Sequence, residues 1–360
     1  AYWMAERTAE NELGVRSLLR KATREVRAHT LQRLWSSPTT PKVQDFHERD
    51  PVPIASYERM FQLIDRPELA DRWDDDLVFG WQRVSGCNPY VLQRVVARDE
   101  KGCDLPRLRD VQLRMGLSDD DFGLREAGDS LVAAAESSRL YVADYGILRG
   151  IEAGVVGEWR HYLRAPLALF VVPNTEDDIH LRPVGISLDG QPGSPVVLRP
   201  LPRATGAEAR RWSMAKQVVQ VADANHQGVV MHLGECHMIA EAIVLSTRRT
   251  LAPSHPLRLL LEPHFQFTLP TNISTKGLIE PGGITQTVQS VSRLGAIRLL
   301  KLALDGFRWD ERSPPRDFER RGVDDPSALP EYPARDDGND VHDAILTFVE
   351  EYVRLYYGID

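Results

Sequence analysis

The stretch that decides the fold is WSMAKQVVQVADANHQGVVMHLGECHMIAEAIVLSTRRT, residues 212–250. Its second half is apolar on nearly all sides when it is read as a helix. A helix without a polar face has no side that it can turn to water. The sequence therefore predicts a helix over residues 211–250 that lies at the centre of the protein.

Two histidines in this stretch have a spacing that a regular helix does not explain. His232 and His237 are five residues apart, which on an α-helix places them about 140° apart around the axis. They can share one partner only if the helix carries a π-type insertion, a distortion that often occurs at functional sites. Glu241 follows His237 by four residues, so it lies on the same face and could orient a metal-bound imidazole.

The residues alone leave two interpretations of this group open. Imidazoles without thiol ligands suit Fe, Mn, Cu or Zn, whereas hydrogen-bonded histidines could simply belong to the core. A zinc protease is disfavoured, because Glu241 does not lie between the histidines as it would in H-E-x-x-H. Cys236 projects about 100° around the helix from His237, so we interpret it as a packing residue. His226 is expected to close the previous turn or to form a hydrogen bond with a neighbouring residue.

The composition disfavours several classes of protein. With 42% hydrophobic and 27% charged residues, the 360-residue chain can bury a large core. A net charge of −8 argues against nucleic acid as a partner. Three cysteines and a charged N-terminal region favour a reduced, cytoplasmic setting. No apolar run is expected to span a membrane, although the amphipathic residues 5–35 could contact a membrane surface.

The hydrophobic pattern predicts a mainly α-helical fold with a small β-sheet near the middle of the chain. Residues 167–173 and 181–188 read as a hairpin, with shorter strands expected at residues 140–145 and 195–200. The helices expected besides the central one cover residues 256–262, 284–305 and 339–357. Because no flexible linker or repeat interrupts the chain, we expect residues 1–360 to belong to a single domain, with residues 1–60 as a helical extension.

Beyond the two histidines, the chain resembles the lipoxygenase family. The matching segments include Trp212, Ala215 and Lys216 in W-x-x-AK, then VQVADANHQ and the H-x4-H-x3-E of the central helix. The others are GCNPYVL (86–92), LYVADYGIL (140–148), the hairpin, STRRTLAPSHPLRLLLEPHFQFTLPTNIS (246–274) and the segment 321–357. The resemblance covers about residues 65–360 and is closest to bacterial members without an N-terminal β-sandwich domain.

This resemblance implies a non-heme iron or manganese dioxygenase in which His232 and His237 bind the metal from a π-distorted helix. The expected substrates are O2 and a polyunsaturated fatty acid with a 1,4-pentadiene unit, such as linoleate or arachidonate. In the family, a ferric hydroxide takes a hydrogen atom from the bis-allylic carbon, and addition of O2 gives a fatty-acid hydroperoxide.

The resemblance also implies that further metal ligands lie beyond Asp360. The family completes its site with a third histidine, often an asparagine, and the C-terminal carboxylate of an isoleucine. All of these follow the segment that matches residues 321–357. We therefore expect residues 1–360 to be the first part of one catalytic domain, with the remainder following or retained as a C-terminal fragment. The alternative is a catalytically incomplete fatty-acid-binding protein that keeps the fold.

Substrate-facing positions are implied in the same way. The family's stereocontrol position, an alanine or glycine, falls on Ser274 or Thr275, depending on the direction of counting. Leu278 matches the leucine that clamps the pentadiene. Leu233 and Ile279 are expected to lie beside it along an apolar channel.

Overall fold

The computed structural model describes residues 65, 67–98, 104–156, 159–175, 177–279 and 289–358, without the side chains of residues 156, 159 and 274–279. The predicted N-terminal extension and the amphipathic residues 5–35 lie outside these ranges. The chain forms two compact units, Ala1–Arg72 and Trp73–Asp360. The described part of the first unit contains a 3₁₀-helix, Glu68–Arg72, and all elements below belong to the second unit.

The second unit is mainly α-helical, as the sequence predicts. Its described helices are α1 (Asp76–Ser85), α2 (Leu108–Met115), α3 (Asp119–Gly123), α4 (Leu131–Glu136), α5 (Gly206–Asn225), α6 (Ile239–Thr250), α7 (Pro256–Leu261), α8 (Thr268–Ile279), α9 (Arg293–Gly306), α10 (Pro314–Arg321) and α11 (Pro333–Tyr357). Short 3₁₀-helices cover Gly146–Leu148, Glu262–Phe265 and Trp309–Glu311.

The strands in the described residues are β1 (Leu92–Arg94), β2 (Leu140–Asp144), β3 (Val155–Val156), β4 (Trp159–Arg160), β5 (Leu167–Val171), β6 (Arg182–Ser187) and β7 (Val196–Leu198). Five of them form an antiparallel sheet with the strand order β1-β2-β5-β6-β7. The predicted hairpin is confirmed, with β5 and β6 paired in the register Leu167↔Ser187. β3 and β4 form a separate two-stranded ribbon.

Both faces of the sheet are covered, which explains why β2 and β5 read as continuous apolar runs. Tyr141 and Phe170 pack in the same cluster as side chains of α5, the helix that begins the central stretch. Val142 and Leu169 pack on the opposite face with side chains of α2, α3 and α4. The sheet therefore forms the support on which the first half of the central helix rests.

The central helix is continuous from Gly206 to Thr250 and contains 45 residues. Thr205 begins it with a capping box, since its hydroxyl accepts from the Glu208 N–H while the Glu208 carboxylate accepts from the Thr205 N–H. Between α5 and α6, residues His226–Met238 form a π-helix. The predicted helix over residues 211–250 and its π-type distortion are both confirmed.

The surroundings of the central helix differ from two expectations. The central helix is long and apolar enough to cross a membrane, whereas no segment of this kind is expected from the sequence. The core helix of a soluble protein can have the same length and composition. α6 was expected to be surrounded by protein, yet among the described residues only Val244 and Thr247 of α6 are buried. The second half of the helix is thus less covered than the first.

Three helices that differ from the prediction have a proline in their first turn. α11 begins at Pro333 rather than at residue 339, and α10 begins at Pro314 inside a segment read as a connection. Proline is favoured in the first turn, where its missing N–H costs nothing. α8 was not predicted, and Pro270 lies in its first turn. The helix expected over residues 284–305 is described from Arg293 to Gly306.

Candidate metal centre

The π-helix brings the two histidines of the central helix together. His232 Nε2 and His237 Nε2 are 3.2 Å apart, with ring centroids 4.8 Å apart and ring planes inclined by 68°. A π-turn takes in one more residue than an α-turn, so residues at i and i+5 come onto the same side. The pair that a regular helix would separate can therefore share one ion.

The ring of His237 is oriented by Asn272 of α8. Its Nδ1 lies 2.7 Å from Asn272 Oδ1, and an amide oxygen only accepts hydrogen bonds. Nδ1 of His237 is therefore the protonated nitrogen and donates, which leaves the Nε2 lone pair free to bind a metal.

Glu241 acts on His237 through Asn272. Asn272 Nδ2 donates to Glu241 Oε2 at 2.8 Å and to the His237 carbonyl at 2.9 Å. Because a carboxylate only accepts, it holds the amide nitrogen on its own side and the amide oxygen toward His237. The spacing of Glu241 and His237 predicts direct contact between the carboxylate and the imidazole. The structure inserts Asn272, which is 35 residues from His237 in sequence and had no local signal to single it out.

Both histidines open onto a cavity of about 330 Å³. Its wall includes Cys236, which is exposed and not a packing residue as interpreted from α-helical angles; the π-winding changes those angles. Partial burial of the thiol, together with the nearby Glu235, raises the pKa of Cys236. The other lining residues are Ala240, Gln266, Phe267, Thr268 and Thr271.

The other predicted site residues are Leu233 on the central helix and four residues of α8. Leu233 is buried with 6% of its surface exposed and does not line this cavity. Ser274, Thr275, Leu278 and Ile279 lie on α8, but their side chains are outside the described residues. Their proposed contacts with substrate stay predictions.

A metal ion fits the two nitrogens. Two ligands at right angles, each about 2.1 Å from an ion, would be roughly 3 Å apart, close to the observed 3.2 Å between the Nε2 atoms. Two lone pairs at this distance repel each other unless a cation or a proton lies between them. Within the described ranges, no group of three or more His, Cys, Asp or Glu side chains could hold a metal.

The Lipoxygenase family model matches residues 55–360. The chain belongs to the lipoxygenase family. It is 36% identical over 321 residues to the linoleate 9/13-lipoxygenase of Pseudomonas aeruginosa and 31% identical over 312 residues to the allene oxide synthase-lipoxygenase protein of Plexaura homomalla.

A solved lipoxygenase has the same fold. The chain superposes on the crystal structure of a coral 8R-lipoxygenase with a TM-score of 0.73 and 29% identity, covering 85% of this chain and 43% of that one. The Pseudomonas alignment covers 84% of this chain and 43% of its relative, and the Plexaura alignment covers 82% and 28%. The chain thus spans less than half the length of these lipoxygenases.

Proposed function

We propose that this chain is part of a fatty-acid dioxygenase and supplies two ligands, His232 and His237, of a non-heme iron or manganese centre. The observation that carries the proposal is the 3.2 Å approach of their Nε2 atoms on a π-helix. The substrates would be a polyunsaturated fatty acid with a 1,4-pentadiene unit and O2. The product would be the fatty-acid hydroperoxide, with any further ligands coming from beyond residue 360.

The metal would supply the one-electron redox chemistry that loss of a bis-allylic hydrogen requires. The chain's own residues would hold and shape the site. Asn272 keeps the proton of His237 on Nδ1, and Glu241 keeps Asn272 in the required orientation. Phe267 and Ala240 add apolar surface to the cavity beside the histidines, a lining that suits an acyl chain.

The first experiment measures bound metal. The polypeptide that contains this chain is purified, and its iron and manganese contents are determined by mass spectrometry for the wild type, His232→Ala and His237→Ala. We expect near-stoichiometric metal in the wild type and a loss in both variants. His342→Ala is the matched control, because His342 contacts the neighbouring Asp343 on α11.

The second experiment measures turnover by the same metal-loaded preparations, as O2 uptake and conjugated-diene hydroperoxide formed from linoleate or arachidonate. Wild type and His342→Ala should be active, and the two ligand variants should be inactive. Fatty-acid binding without metal or O2 uptake would instead favour the lipid-binding alternative. Full activity of His237→Ala would overturn the proposed centre.

A further inference from the structure

A buried polar cluster lies where the central helix changes from α to π winding. Asp223 and His226 come from the helix itself, at the end of α5 and the start of the π-helix. Asn88 Nδ2 donates to Asp223 Oδ1 at 2.9 Å and lies 3.2 Å from His226 Nδ1. Tyr145 donates its hydroxyl to Asp223 at 2.7 Å, and Arg83 donates to Tyr145 at 2.8 Å. We call these five residues the transition cluster.

The transition cluster is largely buried, with 13% of the Asp223 side chain exposed, and its two charges balance. Arg83, Asn88 and Tyr145 are 2%, 1% and 0% exposed, and Arg83 Nη1 forms an ion pair with Asp223 at 3.2 Å. Burial raises the pKa of Tyr145 well above its usual value and lowers the pKa of His226 to about 4. One cation and one anion are therefore matched, and the phenol and imidazole are neutral.

The partners of the central helix in this cluster come from two separate parts of the sheet-supported core. Arg83 lies on α1, with Asn88 shortly after it, and Tyr145 follows the last residue of β2. Contacts from several directions fix both the rotation of a helix about its axis and its height. If residues 226–238 were wound as a regular α-helix instead of a π-helix, His232 and His237 would lie about 140° apart around the axis.

A second contact lies at the same transition. Asn225 is 2% exposed; its Nδ2 donates to the Val221 carbonyl at 2.7 Å, and its Oδ1 accepts from the Ser290 N–H at 2.8 Å. Val221 is four residues before Asn225. The Asn225 side chain therefore donates to a main-chain carbonyl where the helix changes from α-type to π-type hydrogen bonds. The start of the π-helix is thus held by side chains, not by the helix ladder alone.

We propose that Arg83, Asn88, Tyr145 and Asp223 are positioning residues for the metal ligands, which fix where the π-helix begins so that His232 and His237 converge. The inference rests on the proposed function, because it assigns the cluster a purpose at that same centre. None of these side chains contacts the histidine pair, so they act through the winding of the helix.

The test uses a pair of matched tyrosines. Tyr145→Phe removes the hydroxyl that joins Arg83 to Asp223 and keeps the ring. Tyr141→Phe is the control, since Tyr141 lies on β2, is also 0% exposed and donates its hydroxyl to the Ser138 carbonyl. Asn88→Ala removes contacts to the same helix from another side. It replaces Tyr145→Phe as the test variant if Tyr145→Phe does not fold.

Two experiments are compared on the polypeptide that contains this chain. Amide hydrogen exchange of peptides within residues 226–238 is measured without metal, and Co(II) binding is measured from its visible spectrum, which reports ligand geometry. We expect Tyr145→Phe to raise exchange in this segment, to weaken Co(II) binding about tenfold and to change the shape of the spectrum. Tyr141→Phe should resemble the wild type in all three.

The outcomes separate this inference from the proposed function. Unchanged exchange in Tyr145→Phe, or changes matched by Tyr141→Phe, would overturn the positioning role. Raised exchange with unaltered Co(II) affinity and spectrum would also overturn it, because the cluster would then order the helix without placing the ligands. If the wild type binds no Co(II), the proposed function fails, and the exchange data alone still decide whether the cluster holds the π-helix.

Discussion

Asn272 determines both the tautomer and the orientation of His237. Its Nδ2 is used by Glu241 and by the His237 carbonyl, so its Oδ1 is the atom left to accept from the imidazole. Asn272→Ala would free the ring to rotate and to carry its proton on Nε2, the metal-binding atom. We expect metal affinity to fall tenfold to a hundredfold, as measured by competition with a chelator.

Two variants make this expectation specific. Ile273→Ala changes an adjacent residue of α8 that is 67% exposed and should bind metal like the wild type. Glu241→Gln can present either its oxygen or its nitrogen to Asn272, so it should weaken binding less than Asn272→Ala does. Wild-type affinity in Asn272→Ala would show that the hydrogen bond does not prepare the ligand.

His226 makes the stability of the protein depend on pH. Burial lowers its pKa in the folded state to about 4, from an ordinary value of 6.5. Between these values the unfolded chain binds more protons than the folded chain, so stability falls as the pH drops from 6.5 toward 4. By pH 5 this residue alone should cost about 2 kcal/mol.

His226→Gln removes the titrating group while keeping a neutral polar side chain. Urea unfolding at pH 7.5 and pH 5 should therefore show a smaller loss of stability in this variant than in the wild type. His342→Gln, on α11, should lose as much as the wild type. Equal losses in all three proteins would mean that His226 does not titrate as its burial indicates.

At the scale of elements, the π-helix shows what the sequence could and could not predict. The spacing of His232 and His237 predicts one π-type turn, and that turn is confirmed. It does not predict that the π-helix covers 13 residues, because its ends are held by side chains from elsewhere. Asn88 lies more than a hundred residues before it and Asn272 follows it on α8, so neither contact leaves a periodic signal.

The sheet was predictable to the extent that its strands are long and apolar. β5 and β6 follow from their composition, and the structure only shortens them by a few residues. β1 contains three residues, too few for a pattern, and pairs only because β2 lies beside it. α8 was missed because Pro270 and its neighbouring threonines have low helix propensity, which packing against the central helix overcomes.

The packing of α1 on β6 depends on a glycine. A Cβ at Gly80 would lie 1.9 Å from the Leu181 carbonyl oxygen, an atom of the backbone that cannot move aside cheaply. Gly80→Ala should therefore destabilise the protein by about 3 kcal/mol, as measured by chemical denaturation. Gly306→Ala is the control: it has open space around its Cβ position and should gain up to about 1 kcal/mol.

In the described part of the larger unit, the two ends of the central helix differ in burial: the end that packs on the sheet is covered, and the part that carries the histidines is partly exposed. α5 buries Trp212, Val219 and Ala222 against the core, whereas His232 and Cys236 are exposed to the cavity. The rigid support thus lies at one end of the central helix and the ligands at the other.

This arrangement links metal binding to the stability of the whole chain. An ion that binds only the folded state stabilises it by about 2.7 kcal/mol at a concentration a hundredfold above its Kd. We expect Co(II) to raise the midpoint of thermal unfolding by roughly 5 °C, and a chelator to reverse the shift.

His237→Ala should lose this shift, because one nitrogen binds an ion far more weakly than two that already point at the same place. His342→Ala should retain it, since His342 lies on α11 beside Asp343. The unfolded chain also binds metal through its histidines, which reduces the rise in the unfolding midpoint. This reduction is equal in proteins that contain the same number of histidines. The two single-alanine variants have equal content, so any difference between them reports the folded site. The same shift in both would place the ion elsewhere.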